Sequence, residues 1–150
     1  TDPNTKTMKG LKEMSKTFGN KAQSYELLTM GSEDYKPKKN SLDFAFTSPP
    51  YFDTERYSNE KTQSFLKFTN IESWKDKFLR KTIDNVYRGL KQNKFMALNV
   101  ADVKNHYDGF EEDTVAIAES VGFKLVDTFD YVLSSQQSDS KSEPIYIFKK

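Results

Sequence analysis

Residues 47–51 read Thr47-Ser48-Pro49-Pro50-Tyr51 and directly follow the apolar run Leu42–Phe46. Two consecutive prolines fix φ and remove two N–H donors, so the turn is rigid and its carbonyls meet no local donor. The Pro49 carbonyl and the Ser48 hydroxyl are then two acceptors in fixed positions. Such a pair suits a planar –NH₂ group, which offers two hydrogens. Tyr51 adds an aromatic face, and stacking a nucleobase on such a ring is worth about 1–3 kcal/mol. The set reads as a receptor for the exocyclic amine of a stacked ring. The plainer reading is a strand terminator followed by a core tyrosine. Phe52 and Tyr57, with Phe65 and Phe68, carry aromatic character through residues 48–70, which show no clear period. A loop of that length is uncommon unless it is functional, for instance as a base-stacking lid.

Composition limits what else the chain can do. Its 150 residues make one domain of ordinary size. With no cysteine, a disulfide scaffold, a Cys-ligated zinc site and thiol catalysis are excluded. A single histidine, His106, argues against a multi-histidine metal site and reads as a surface residue. The hydrophobic fraction of 35% is low and the charged fraction of 30% is high, yet net charge is only +1 and 14% of residues are aromatic. That pattern implies a lean core built from Phe and Tyr rather than disorder. No apolar run reaches the ~18 residues of a membrane span, and no signal peptide opens the chain, so a cytoplasmic protein is expected. The near-neutral balance argues against a dedicated nucleic-acid clamp but not against an enzyme that touches nucleic acid.

The elements that must position residues 47–51 follow from periodicity. Met8, Leu11, Met14 and Phe18 form a narrow helical stripe over Asn4–Phe18, capped by Asn4 or Thr5 and stopped by Gly19-Asn20. Tyr25–Met30 reads as a short strand, residues 31–40 as a loop, and Leu42–Thr47 as a buried strand. From Ile71 to Leu90 the apolar spacing is helical and places Trp74 in the core. Phe95–Val100 is a further buried strand. Val115, Ala118 and Val121 mark a helix ended by Gly122. Phe123–Leu133 and Ile145–Phe148 are strands joined by the polar loop Ser134–Glu143, and with no helix between them they pair antiparallel. The alternation predicts an α/β, Rossmann-like domain, a mostly parallel sheet with helices on both faces. Ligands of such sheets bind at the carboxyl ends of the strands. Thr1-Asp2, Met30-Gly31, Thr47-Ser48 and Val100-Ala101 fall along that edge.

Ser48-Pro49-Pro50-Tyr51 after an apolar strand resembles the catalytic motif of the S-adenosylmethionine-dependent DNA amino-methyltransferases, which modify the amino nitrogen of cytosine or adenine. The run Phe52-Asp53-Thr54-Glu55-Arg56-Tyr57-Ser58 is also similar to phage and bacterial members. The resemblance implies S-adenosylmethionine as cofactor and DNA as partner. It implies that Ser48, Pro49, Pro50 and Tyr51 act on the target amine and that Phe52 and Tyr57 touch the substrate. It assigns Asp2 to the ribose hydroxyls of the cofactor, and Glu33 or, by preference, Asp34 to its adenine amino group, with Thr47 beside them. The family's Gly-rich loop is not found in the sequence. Together with an opening at Thr1, this implies that the chain is a segment of something longer, whose loop lies upstream, and that the segment alone binds cofactor weakly.

Other residues have simpler readings. Asp2 can cap the following turn, and Glu33 and Asp34 can be solvated loop acids. Lys36, Lys38, Lys39 and Lys61 can touch phosphate or form a solvated face. Asp102 follows a strand end and can line the site. Two further functions stay open at this point. Related Pro-Pro motifs serve methyltransferases of RNA and of protein amides, and a degenerate methyltransferase fold can act as a non-catalytic scaffold.

Overall fold

In the computed structural model, residues 1–19, 24–104, 106–132 and 142–150 are described. The apolar runs build a four-stranded sheet from β1 (Leu42–Thr47), β2 (Leu90–Asn99), β3 (Lys124–Val132) and β4 (Ser142–Lys149), in the order β1-β2-β4-β3. β1 and β2 run parallel because a helical crossover joins them. β4 leaves β3 as its antiparallel partner and inserts beside β2, so it is antiparallel to both neighbours. The expected antiparallel C-terminal pair is present. The expected mostly parallel sheet is not: among the described residues one of three strand pairings is parallel.

Helix α1 (Thr5–Phe18) is capped by Asn4, whose side-chain oxygen accepts from Lys6 N at 3.0 Å and Thr7 N at 3.1 Å. Of its apolar stripe only Met8 is buried, and Phe18 is 81% exposed. Residues 71–89 form one continuous helix with an irregular centre: α3 (Ile71–Trp74), a π-helical turn (Lys75–Arg80) and α4 (Lys81–Gly89). The wider π turn holds one extra residue, which brings the consecutive Phe78 and Leu79 both inside. A short helix α2 (Ser64–Lys67) precedes it, and α5 (Phe110–Val121) ends at Gly122, whose φ of 118° is the left-handed conformation that favours glycine.

The helix over residues 71–89, α5 and one face of the sheet share a core that includes Trp74, Phe78, Leu79, Ile83, Met96, Leu98, Phe110 and Phe148. The strand register places Phe44 beside Phe95, Phe46 beside Ala97, and Phe129 beside Ile145 on the opposite face. There Phe44, Phe46 and Phe129 are 57%, 60% and 50% exposed. Helices on both faces were expected; among the described residues only one face is packed into the core. For the same reason Leu42–Thr47 is not the buried strand that its composition suggests. Among the described residues β1 pairs only with β2 and stands at the sheet edge.

Tyr25–Met30 is not a strand. A strand exists only where a neighbour completes its ladder, and among the described residues this segment has one backbone bond of that kind, Asp2 N to Leu28 O at 3.2 Å. Asn20, Leu133 and residues 134–141 of the polar loop fall outside the described residues, whereas Ser142 and Glu143 begin β4.

Candidate active site

Three of the four expected chain segments converge on a cavity of about 280 Å³. Thr1–Pro3, Gly31–Glu33 and Thr47–Pro50 line it, together with Tyr57, Thr62–Ser64 and Phe78. Val100-Ala101 is not part of the lining. The cavity thus gathers Asp2, Glu33, Thr47, Ser48, Pro49, Pro50 and Tyr57 from the residues proposed on sequence.

The acidic wall is built by local turns. Asp2 Oδ1 accepts from Asn4 N at 2.7 Å, so the capping role uses one oxygen of the carboxylate. The turn at residues 31–34 closes with Asp34 N donating to Gly31 O at 3.1 Å. Thr82 and Asn85 of α4 fasten it, through a 2.9 Å hydroxyl pair with Ser32 and a 3.0 Å bond from Asn85 Nδ2 to Glu33 O. Glu33 is thereby buried at 5% exposure. Lys67 donates to Glu33 Oε1 and, at 2.8 Å, to Asp34 Oδ2. Burial disfavours the Lys67 ammonium, but its bonds to Asp34 and Glu33 outweigh this and hold its pKa above the usual lysine value. The Asp34 side chain is 60% exposed and outside the lining. Among the described residues, two buried polar atoms of lining residues, Glu33 Oε2 and Gln63 Nε2, have no hydrogen-bond partner.

Residues 48–70 are fastened across this region. Thr62 Oγ1 donates to Pro3 O at 3.2 Å, the Glu60 carboxylate accepts from Thr5 N at 3.1 Å, and Trp74 Nε1 donates to Ser64 Oγ at 3.1 Å. In the Pro-Pro turn Pro49 is buried and Ser48 exposed. Phe52 N donates to Pro50 O at 3.0 Å and Thr54 N to Tyr51 O at 3.1 Å, which leaves Phe52 at a φ of 53°. A bulky residue there is strained, and such strain clusters at functional sites. Tyr51 and Phe52 do not line the cavity. The Tyr51 ring meets Phe110 edge-on at 5.3 Å and its hydroxyl donates to Glu143 Oε2 at 3.3 Å, while Phe52 meets Trp74 at 5.9 Å.

Of the remaining candidates, Asp102 caps α5 by accepting from Gly109 N at 3.1 Å and Glu111 N at 2.9 Å, and it does not line the cavity. His106 is half-exposed and its Nε2 lies 2.7 Å from Asp53 Oδ1, tying the chain after β2 to the loop after the Pro-Pro turn. Lys36, Lys38, Lys39 and Lys61 are exposed. Gln63, which lines the cavity, and Lys67, which pairs with Glu33 behind it, are residues that sequence reasoning misses. A lone amide and a lone lysine carry no spacing signal, and their place at the site comes from long-range packing.

No family model matches the chain, and no curated protein matches it. Solved structures do. A candidate DNA modification methylase from Thermus thermophilus superposes with a TM-score of 0.58 at 16% identity, over 81% of this chain. A methyltransferase from Methanosarcina mazei that depends on S-adenosylmethionine gives 0.61 at 12% identity over 99%. The N-methyltransferase NodS from Bradyrhizobium japonicum gives 0.60 at 11% identity over 99%. The chain has the methyltransferase fold. It spans 50% of the Thermus protein, 79% of the Methanosarcina protein and 70% of NodS. One structure of the Thermus protein, with a TM-score of 0.52, is a complex with S-adenosyl-L-methionine. Within this methyltransferase fold the cavity lies where β1 ends at Thr47. No described helix is long and apolar enough to cross a membrane.

Tyr51, Tyr107 and Tyr146, each bonded to a carboxylate, make alkaline stability measurable. Burial, then the Glu143 carboxylate, push the Tyr51 phenol up to about 12. Burial and Asp113 raise Tyr107, and burial and Glu111 raise Tyr146. An unfolded phenol titrates near ~10, so the unfolded chain loses these protons first. The stabilisation is complete below pH ~10 and is lost as pH rises toward the folded values. The urea midpoint is expected to fall between about pH 9.5 and 11.5, a range that brackets the unfolded value, and Tyr107→Phe should flatten the slope. A midpoint unchanged across that range would refute this.

Proposed function

We propose that the chain is the catalytic part of a DNA methyltransferase that moves a methyl group from S-adenosylmethionine to the exocyclic amine of cytosine or adenine. The observation that carries the reading is one cavity holding both the Ser48-Pro49-Pro50 turn and the acidic residues Asp2 and Glu33. Its volume, about 280 Å³, is at the small end for ligand sites and suits a nucleoside-sized group. The Glu33 carboxylate in the cavity lining is an acceptor that suits an amino group of adenine.

Bound S-adenosylmethionine supplies a methyl group activated by its sulfonium. The chain's residues bind and orient. Asp2 has an oxygen beyond the one that caps Asn4, and this takes a ribose hydroxyl. Glu33 rather than exposed Asp34 takes the adenine amine, and Thr47 borders the cofactor. The target base leaves its stack to reach the turn. Its amine is a poor nucleophile because the lone pair is delocalised into the ring. Accepting both N–H groups at Ser48 Oγ and the Pro49 carbonyl favours a pyramidal nitrogen with its lone pair free to attack. This is positioning and electrostatic stabilisation: the N–C bond would form at the expense of the donor's sulfur–carbon bond, and the surplus N–H proton would leave to solvent past exposed Ser48 after attack, so no shifted general base is required before it. Tyr51 stacks on the base from the side away from the cavity, and Phe52 and Tyr57 border the substrate.

The test is label transfer. Protein, S-adenosylmethionine tritiated on the methyl group, and unmethylated DNA are incubated, and the digested nucleosides are separated. Tritium in N4-methylcytosine or N6-methyladenine is the expected result. Tritium incorporated only when RNA or peptide replaces DNA would move the activity to those substrates, and cofactor binding without any transfer would leave a scaffold.

A further inference from the structure

The end of the sheet opposite the cavity collects positive charge. β1, β2 and β3 start there and β4 ends there, with Lys149 level with Phe95 of β2 and Lys124 of β3. The cavity lies beyond the other end of β1, at Thr47, roughly 16 Å away along an extended strand. From Leu42 to Phe44 β1 advances two residues, while β2 advances five from Leu90 to Phe95. The surplus bulges out of the ladder around Asn93, whose φ of 62° is left-handed, and it carries Lys91 and Lys94.

Most of this charge lacks a counter-charge. Asp43 takes both Lys91, at 2.9 Å, and Lys94, at 3.5 Å, so one carboxylate serves two ammonium groups. Lys124 and Lys149 are cross-strand partners and share a face, an arrangement that destabilises when the charges are alike. Lys150 is fixed in place: its Nζ donates to Leu90 O at 2.7 Å and to Asn40 Oδ1 at 3.2 Å, and lies 4.9 Å from the centre of the Tyr87 ring. An ammonium has three donors, so one remains. Burial, and after it the Lys39 ammonium, hold the Lys150 pKa below the usual lysine value. Among the described residues no ion pair reaches Lys39, Lys124, Lys149 or Lys150. By contrast, Lys67 and Lys75 are each held between two acids. In a chain of net charge +1, this end is positive through segregation of charge and not through excess.

We propose that this end of the sheet is a docking surface for the phosphate backbone of nucleic acid. Every strand contributes: β1 through Lys39 just ahead of it, β2 through its bulge, β4 through Lys149 and Lys150, and β3 through Lys124. In the order β1-β2-β4-β3 the cations therefore form a row across the sheet. Strands lie about 4.8 Å apart, so four of them span roughly 14 Å. One nucleic-acid strand sets a phosphate about every 3.4 Å along the helix axis, and the row meets about four of them. Phosphates there supply the anion that each pair of like charges lacks. A lone phosphate or a phosphorylated side chain matches only part of the row. The surface is separate from the cavity, and the inference holds whether or not the chain transfers methyl groups.

The test is binding of a fluorescein-labelled duplex DNA of arbitrary sequence, followed by anisotropy between about 50 and 200 mM salt without cofactor. About four phosphate contacts give log affinity against log salt a slope of about −3.6. The triple variant Lys39→Gln, Lys124→Gln and Lys149→Gln should lower that slope by about 2 to 3 and weaken binding at least about tenfold at 100 mM salt. Lys39 and Lys124 are exposed and Lys149 half-exposed, and the same three positions changed to Arg should keep both slope and affinity. The control, Lys9→Gln, Lys12→Gln and Lys16→Gln, removes the same charge from exposed positions of α1 and should leave the slope nearly unchanged. Equal losses in the two glutamine variants would reduce the effect to net charge and overturn the inference. A slope unchanged in the first variant, or no salt-dependent binding by the wild type, overturns it as well. So does loss of binding to phosphatidylserine vesicles or to polyglutamate while duplex binding persists, which would assign the surface to a membrane or an acidic protein. No methyl transfer is read here, so failure of the methyltransferase reading leaves this result standing.

Discussion

Trp74→Ala is expected to lower the unfolding free energy by about 3–5 kcal/mol, the range for truncating a fully buried large aromatic. Trp74 is 0% exposed and stands where three structural parts meet. Its ring is 5.1 Å from Phe78, in the π turn of its own helix, and 5.9 Å from both Phe110 of α5 and Phe52 of the loop after the Pro-Pro turn. Its Nε1 donates to Ser64 beside the cavity. Alanine removes all of these contacts and leaves a hole that rigid neighbours cannot fill. Domains of this size have only about 5–15 kcal/mol to lose. Urea unfolding followed by far-ultraviolet circular dichroism measures the change. Trp74→Phe keeps a ring but not the N–H bond and should cost distinctly less. A loss under about 1 kcal/mol in the alanine variant would mean that the loop after the motif is not held through this residue.

The second large effect is on catalysis. Tyr51→Ala should reduce methyl transfer to DNA about ten- to a hundredfold, the equivalent of losing about 1–3 kcal/mol of stacking. Cofactor affinity should move less than about threefold, because Tyr51 lies off the cavity lining. The ring also packs on Phe110, so the variant loses some stability, and Tyr51→Phe is the necessary companion. Phenylalanine keeps the stacking face and gives up only the 3.3 Å bond to Glu143. Transfer near wild type in Tyr51→Phe and strongly reduced in Tyr51→Ala is the expected pair of results, from label transfer and calorimetry side by side. Equal losses of transfer and cofactor binding would remove Tyr51 from the base side of the turn.

What could be read from the sequence depended on whether the determining physics is local. The Pro49-Pro50 constraint is covalent, so a rigid turn after β1 was legible. The helix over residues 71–89 was legible from its 3.6-residue spacing, and Gly122 marked the end of α5 because only glycine is comfortable at its φ. The π turn was not legible, since two adjacent apolar residues, Phe78 and Leu79, look like ordinary helix. Tyr25–Met30 has strand-like composition but no neighbouring strand among the described residues, and composition cannot supply a partner. The insertion of β4 between β2 and β3 depends on long-range pairing in the same way. At the site, an acid at position 33 or 34 is implied by the family resemblance and not by residue type. Which of the two is buried depends on Thr82 and Asn85, some fifty residues away in the chain.

The uncovered face of the sheet bears on how the protein can be handled. Phe44, Phe46, Phe95 and Phe129 put four exposed rings there, next to a β1 edge whose ladder groups have no second strand among the described residues. Exposed apolar surface beside an open edge favours association between molecules. Light scattering should therefore grow faster than protein concentration. An environment-sensitive dye will fluoresce on the native protein, and a dye-based melting curve will start from a high baseline that hides the transition. The chain supplies its own reporter instead. Its one tryptophan is fully buried on the packed side of the sheet, so intrinsic emission follows unfolding without reference to the open face.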